Sequence, residues 1–140
     1  MLQLVNVNLV AVLAAAIASM VLGFLWYGPL FGKQWIQLMG WGKMNKAAMD
    51  KMKKGASKGY AVMFVTSLVM AYVLAHIVAY SGAVTAMEGA QAGFWIWLGF
   101  VATVTLGSVL WEGKSMKLYY LNAAYHLVNL AVMGVILVTL

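Results

Sequence analysis

The apolar residues of this chain gather in four blocks, over 9–30, 59–80, 89–111 and 118–140, and no lysine, aspartate or glutamate falls inside any of them. A bilayer's hydrocarbon layer of about 30 Å is crossed by roughly 20 consecutive apolar residues in a helix. Each block meets that length. A charge at its centre would cost several kcal/mol or more, with ~3 kcal/mol as the lower measured scale. Transmembrane strands would instead show segments of about ten residues in strict alternation, and runs such as Val10 to Ile17 do not alternate. The expected fold class is therefore all-α integral membrane. A single domain over 1–140 holds four transmembrane helices, at about 4–30, 58–81, 86–111 and 116–140, with a basic loop at 31–57.

Composition agrees: 65% of residues are hydrophobic and 9% charged, against about half and about a quarter in a soluble domain. Ala14-Ala15-Ala16 resembles a signal-peptide cleavage site, but no lysine precedes the first block and its hydrophobicity runs on to residue 30, a spanning length. Cysteine is absent, which removes disulfides, thiolate metal sites and thiol catalysis.

The net charge of +6 is concentrated. Lys33, Lys43, Lys46, Lys51, Lys53, Lys54 and Lys58 lie between the first two blocks, opposed by Asp50; Lys114 and Lys117 lie between the last two, and the middle connector has none. Lysine-rich loops stay cytoplasmic, so the expected placement is multi-pass in a cell (inner) membrane with both termini outside. Trp26, Trp35, Trp41, Tyr60, Trp111, Tyr119 and Tyr120 fall near the inner interface; Tyr80, Trp95 and Trp97 fall near the outer one. Within the loop, Asn45 begins a short amphipathic helix with Met44, Ala48 and Met52 on one face and an Asp50–Lys54 pair one turn apart. That helix either lies on anionic lipid headgroups or extends the second span into water. With no arginine and no interleaved aromatics, nucleic acid is not an expected partner.

Helix ends are marked by Gly28-Pro29, Ser57, Gly82 and a Thr85/Glu88 capping box. Small residues every fourth position, at Ala11, Ala15, Ser19 and Gly23, at Ser67, Ala71, Ala75 and Ala79, and at Gly99, Thr103 and Gly107, suit close helix packing. Whether the facing helix belongs to this chain or to another copy is open, and a homo-oligomer is expected. The stretch from Leu22 to Gly28 echoes that from Leu106 to Gly113, and His76-Ile77-Val78 echoes His126-Leu127-Val128. The echo suggests two parallel helical-hairpin repeats.

The fourth span carries the most polar face. Asn122, His126 and Asn129, with Tyr119 and Tyr125, fall within about 120° of arc at 100° per residue. Tyr72, His76 and Tyr80 form a second stripe on span two, and the two stripes are expected to face one another as a polar seam. The seam reads as a site for a small solute, ion or proton, or as interhelical hydrogen bonds worth about 0.6–2 kcal/mol each. A haem between His76 and His126 is disfavoured by their unequal depths, and two histidines without an intramembrane carboxylate form a thin metal ligand set. No cofactor is expected. Glu112 follows Thr105 and Ser108 at the cytoplasmic edge, where pairing beside Lys114 and Lys117 is the economical role. No nucleophile–base set or carboxylate pair can be assembled, so the chain is not expected to be an enzyme. A small-solute binder or conductor and a structural or accessory subunit are the two readings in view.

The stretch Leu25-Trp26-Tyr27-Gly28-Pro29-Leu30-Phe31-Gly32-Lys33-Gln34-Trp35 resembles the signature of a bacterial membrane family catalogued as domain of unknown function 1761 (DUF1761). The stretch Tyr125-His126-Leu127-Val128-Asn129-Leu130-Ala131-Val132-Met133-Gly134 resembles its last helix. The resemblance implies a four-helix bacterial membrane protein and brings no activity with it. Physically, Gly28-Pro29 is expected to give a sharp exit from span one, with Trp26, Tyr27 and Trp35 anchoring it at the interface or closing the mouth of a pocket.

Overall fold

A computed structural model of the chain describes residues 5–41 and 45–140. Four of its helices are long and apolar enough to cross a membrane. Helix α1 is Leu9–Leu30, started by Asn8, whose Oδ1 accepts from the Val10 and Ala11 amides at 3.0 and 3.3 Å. The exit expected at Gly28-Pro29 falls one residue later, at Leu30. Residues Trp26–Leu30 widen into a π-turn, with the Phe31 amide donating to the Trp26 carbonyl at 2.9 Å. Proline has no N–H for an α-type bond, and the wider turn absorbs that loss. The chain then turns at Phe31 into a short helix α2, Gly32–Leu38. Gly32 is required there, because a Cβ would lie 2.9 Å from the Tyr27 carbonyl oxygen.

Helix α3, Lys46–Ser81, is a single helix of 36 residues capped by Asn45 at Ala48 N, 2.8 Å. Of the two alternatives for the lysine-bearing segment, the structure has the extension of the second span, so the segment is the first part of that helix, and a separate amphipathic helix and a new start at Ser57 are corrected. Alanine, methionine and lysine propagate helix well enough to carry it through Gly55 and Gly59. At 1.5 Å per residue it is about 54 Å long, well beyond the apolar thickness of a bilayer, so its lysine end projects past the apolar part. The expected Asp50–Lys54 pair is not formed among the described residues, and Met44 and Lys43 lie outside them.

Gly82, at φ 74°, closes α3 in the left-handed conformation. The capping box then starts α4, Ala86–Leu110: Thr85 Oγ1 accepts from the Glu88 amide at 3.2 Å, and Glu88 Oε2 accepts from the Thr85 and Val84 amides. A second π segment, Trp97–Ala102, interrupts α4. Helix α5, Met116–Thr139, begins at Ser115, whose Oγ accepts from Leu118 N at 3.1 Å.

Helix α5 packs against α4, α1 and α3, and α1 packs against α3. Val12, Ala15, Ala71, Leu74, Val78, Leu130 and Met133 form the core between α1, α3 and α5. Ala11, Ala15 and Ser19 on α1, and Ser67 and Ala71 on α3, are buried as their four-residue spacing implies. The α4 ladder is different. Nothing lies within 4 Å of a Cβ built at Gly99, whereas one at Gly89 would overlap the Gly134 carbonyl and one at Gly93 the Leu130 carbonyl. The crossing of α4 over α5 thus rests on Gly89, Gly93 and Gly134, and the Gly99, Thr103, Gly107 face is not the packed one. The repeat echo does not produce matching surroundings either: Trp26 is half-buried and hydrogen-bonded, while its counterpart Trp111 is 87% exposed.

Candidate functional site

The polar face of α5 meets three different helices. Asn122 Oδ1 accepts a hydrogen bond of 2.7 Å from the Tyr27 hydroxyl on α1. Tyr125, buried, reaches the Ser19 carbonyl on α1 at 3.4 Å, and its ring packs edge-on against Tyr27 at 5.2 Å. Asn129, also buried, makes a weak contact of 3.9 Å from Nδ2 to the Met70 sulfur on α3, and its Oδ1 has no partner among the described residues. His126 faces α4. Of the expected seam between spans two and four, Asn129 meets Met70 and Tyr125 lines a space with Tyr60, Met63 and Ser67 of α3, while Asn122 and His126 face α1 and α4.

The span-two stripe is also local. His76 is buried, with Nδ1 at 2.9 Å from the carbonyl of Tyr72 on its own helix and its ring edge-on to Tyr72 at 4.7 Å. The carbonyl can only accept, so Nδ1 is the donor in that contact, and Nε2 has no hydrogen-bond partner among the described residues. Tyr72 is exposed.

Two clefts open at the lysine-bearing end. The first, of about 470 Å³, lies between α4 and α5 and is lined by Thr105, Ser108, Glu112, Tyr119, Asn122 and His126. Glu112 stands at its mouth, 3.8 Å from Lys114, the pairing expected for it. Thr105 donates to the Val101 carbonyl at 2.6 Å and Tyr119 to the Ala102 carbonyl at 2.6 Å, so both hydroxyls turn lone pairs outward. His126 is ten positions along α5, about 15 Å from its start.

The second cleft, also about 470 Å³, lies between α1, α3 and α5 and is mostly apolar. Phe24, Tyr27, Trp35, Tyr60 and Met63 line it, Tyr125 and Ser19 meet it, and Gly28 leaves a gap in its wall. Trp35 packs on Tyr27 at 4.9 Å and on Trp41 at 4.7 Å, and Phe24 packs on Tyr60 at 5.2 Å. The Tyr27–Asn122 bond joins the linings of the two clefts, Tyr27 belonging to one and Asn122 to the other.

Tryptophans pin α5 on both sides. Trp26 Nε1 donates to the Leu121 carbonyl at 3.2 Å from α1, and Trp97 Nε1 donates to the Ala123 carbonyl at 2.8 Å from α4. Residues 10–138 match the model of a family described as a protein of unknown function, DUF1761. The chain belongs to this family. No curated protein and no solved structure matches it. The DUF1761 match includes every residue of both clefts and the whole Trp26-to-Trp35 motif.

Within this DUF1761 chain the motif residues divide. Trp26 fastens α1 to α5, Tyr27, Gly28 and Trp35 line the apolar cleft, and Pro29 sits in the π-turn. Thr105, Ser108 and Glu112, spaced i, i+3 and i+7, were the legible sign of a polar α4 face. Nothing local marked Ser19, Tyr60, Met63 or Ser67 as meeting one cleft, because they come from two helices whose facing is a tertiary matter.

Proposed function

We propose that this membrane protein binds or passes a small hydrogen-bonding solute or ion through the cleft between α4 and α5, entering from the lysine-bearing side. The observation that carries the reading is the line of polar side chains from Glu112 and Lys114 at the mouth to Asn122 and His126 within. In a bilayer about 30 Å thick, His126 at about 15 Å stands near the midplane. Lipid cannot satisfy such groups, so they face protein or water. Because Asn122 spends Oδ1 on Tyr27, its amide N–H groups are left for the cleft. The His126 imidazole adds two nitrogens able to take part in hydrogen bonds. That set suits a hydrated or neutral polar solute better than a strongly charged one.

In this reading both termini face outward and the lysines cytoplasmic, and the chain is a binder or conductor, not an enzyme. Flux of protons and small solutes into proteoliposomes tests it. His126→Ala is expected to lower the flux of the true solute about tenfold, the equivalent of one strong hydrogen bond, with little change in thermal stability. Unchanged flux for every solute in the panel contradicts it.

A structural or accessory subunit is the second reading, and one observation favours it: Tyr27, Trp26, Trp97 and Tyr119 all hydrogen-bond across helices. It predicts that substitutions in the polar face change melting temperature and nothing else.

A further inference from the structure

The apolar cleft between α1, α3 and α5 is separate from the polar one and has a depth of its own. On α1 it runs from Ser19 to Gly28 and on α3 from Tyr60 to Ser67, which at 1.5 Å per residue is about 14 Å and about 10 Å. One leaflet's share of a 30 Å hydrocarbon layer is about 15 Å. The cleft is open sideways, since Phe24, Tyr60 and Met63 on its rim are each about half exposed. Its aromatic and methionine lining suits an alkyl chain.

Charge marks the cleft's upper end. Lys53, exposed, stands seven residues before the lining residue Tyr60 on α3 and so on the same helix face, about 10 Å further out. Asp50 is the one acid in the 31–57 segment. A lysine above a leaflet-deep apolar slot complements a phosphate headgroup with a hydrocarbon tail below it. We propose that this cleft seats one acyl chain of an anionic phospholipid from the lysine-side leaflet, with the headgroup held by Lys53.

Gly28 gives the means to test it. A Cβ there meets nothing within 4 Å among the described residues and its φ is not positive, so a side chain can be built on the cleft wall without backbone strain. The full chain is purified in detergent with a mixture of phosphatidylglycerol and phosphatidylcholine, and retained lipid is counted by native mass spectrometry. The wild type is expected to keep phosphatidylglycerol in preference to phosphatidylcholine. Gly28→Leu, and independently Met63→Trp from the opposite wall, should each lower retention at least about fivefold with helicity and melting unchanged. Lys53→Gln should lower the anionic preference about fivefold. Equal retention in all variants, equal retention of both lipids, or a change in oligomer mass with Gly28→Leu in place of lipid loss overturns the proposal. The last outcome would assign the slot to a second copy of the chain.

Discussion

The Tyr27 hydroxyl donates to Asn122 Oδ1 at 2.7 Å, joining residues 95 positions apart in the chain. The bond holds the end of α1 against the start of α5, with Tyr27 lining an apolar cleft and Asn122 a polar one. Its loss is expected to be felt as stability.

Tyr27→Phe and Asn122→Ala are each expected to destabilise the protein by about 1 kcal/mol, the middle of the range for interhelical hydrogen bonds in membranes. The double variant should cost less than the sum, because the two side chains share one interaction. Melting temperatures of the four proteins in one detergent give the coupling; strict additivity would mean that the bond contributes nothing.

Gly93→Leu and Gly134→Leu are expected to prevent the α4–α5 pair from closing, since even a Cβ at either position meets the backbone of the facing helix. Overpacking of this kind costs about 1–3 kcal/mol where side chains can yield, and backbone yields less. Gly99→Leu, built into open space, should fall within about 0.5 kcal/mol of wild type. Yield of monodisperse protein and melting temperature compare the three, and equal behaviour would displace the crossing from Gly89, Gly93 and Gly134.

Trp97→Phe keeps a ring on α4 but removes the 2.8 Å bond to the Ala123 carbonyl. A loss of about 1 kcal/mol is expected, read as a lower melting temperature. Trp95→Phe, on the exposed face of the same helix, should change nothing.

Much of the architecture was legible in the residues. Four long charge-free blocks gave the helical, membrane-crossing class, and local chemistry gave Asn45, Gly82 and the Thr85/Glu88 box as helix ends. The Ser57 start failed because a cap-forming side chain does not stop a helix whose neighbours all favour continuing. The π-turn at Pro29 was hidden because it depends on how the missing N–H is absorbed and on Gly32 approaching Tyr27. The facing of α5 was hidden for a geometric reason: its polar residues fall within about 120°, yet α1, α3 and α4 share that arc. A stripe on one helix therefore did not say which neighbour each member meets. In the same way, Gly89/Gly93 and Gly99/Gly107 carry similar small-residue signals on α4, and only the position of α5 selects the first.

The absence of cysteine from the sequence makes single-cysteine labelling a clean probe of the polar cleft. Thr105→Cys, Ser108→Cys and Phe100→Cys are placed in sealed vesicles of known orientation and exposed to a membrane-impermeant maleimide from each side. Thr105→Cys and Ser108→Cys are expected to react from the lysine side alone, and Phe100→Cys, on the exposed apolar face of α4, from neither. Reaction at positions 105 and 108 no faster than at 100, or from the opposite side, would contradict a water-filled cleft reaching inward towards His126.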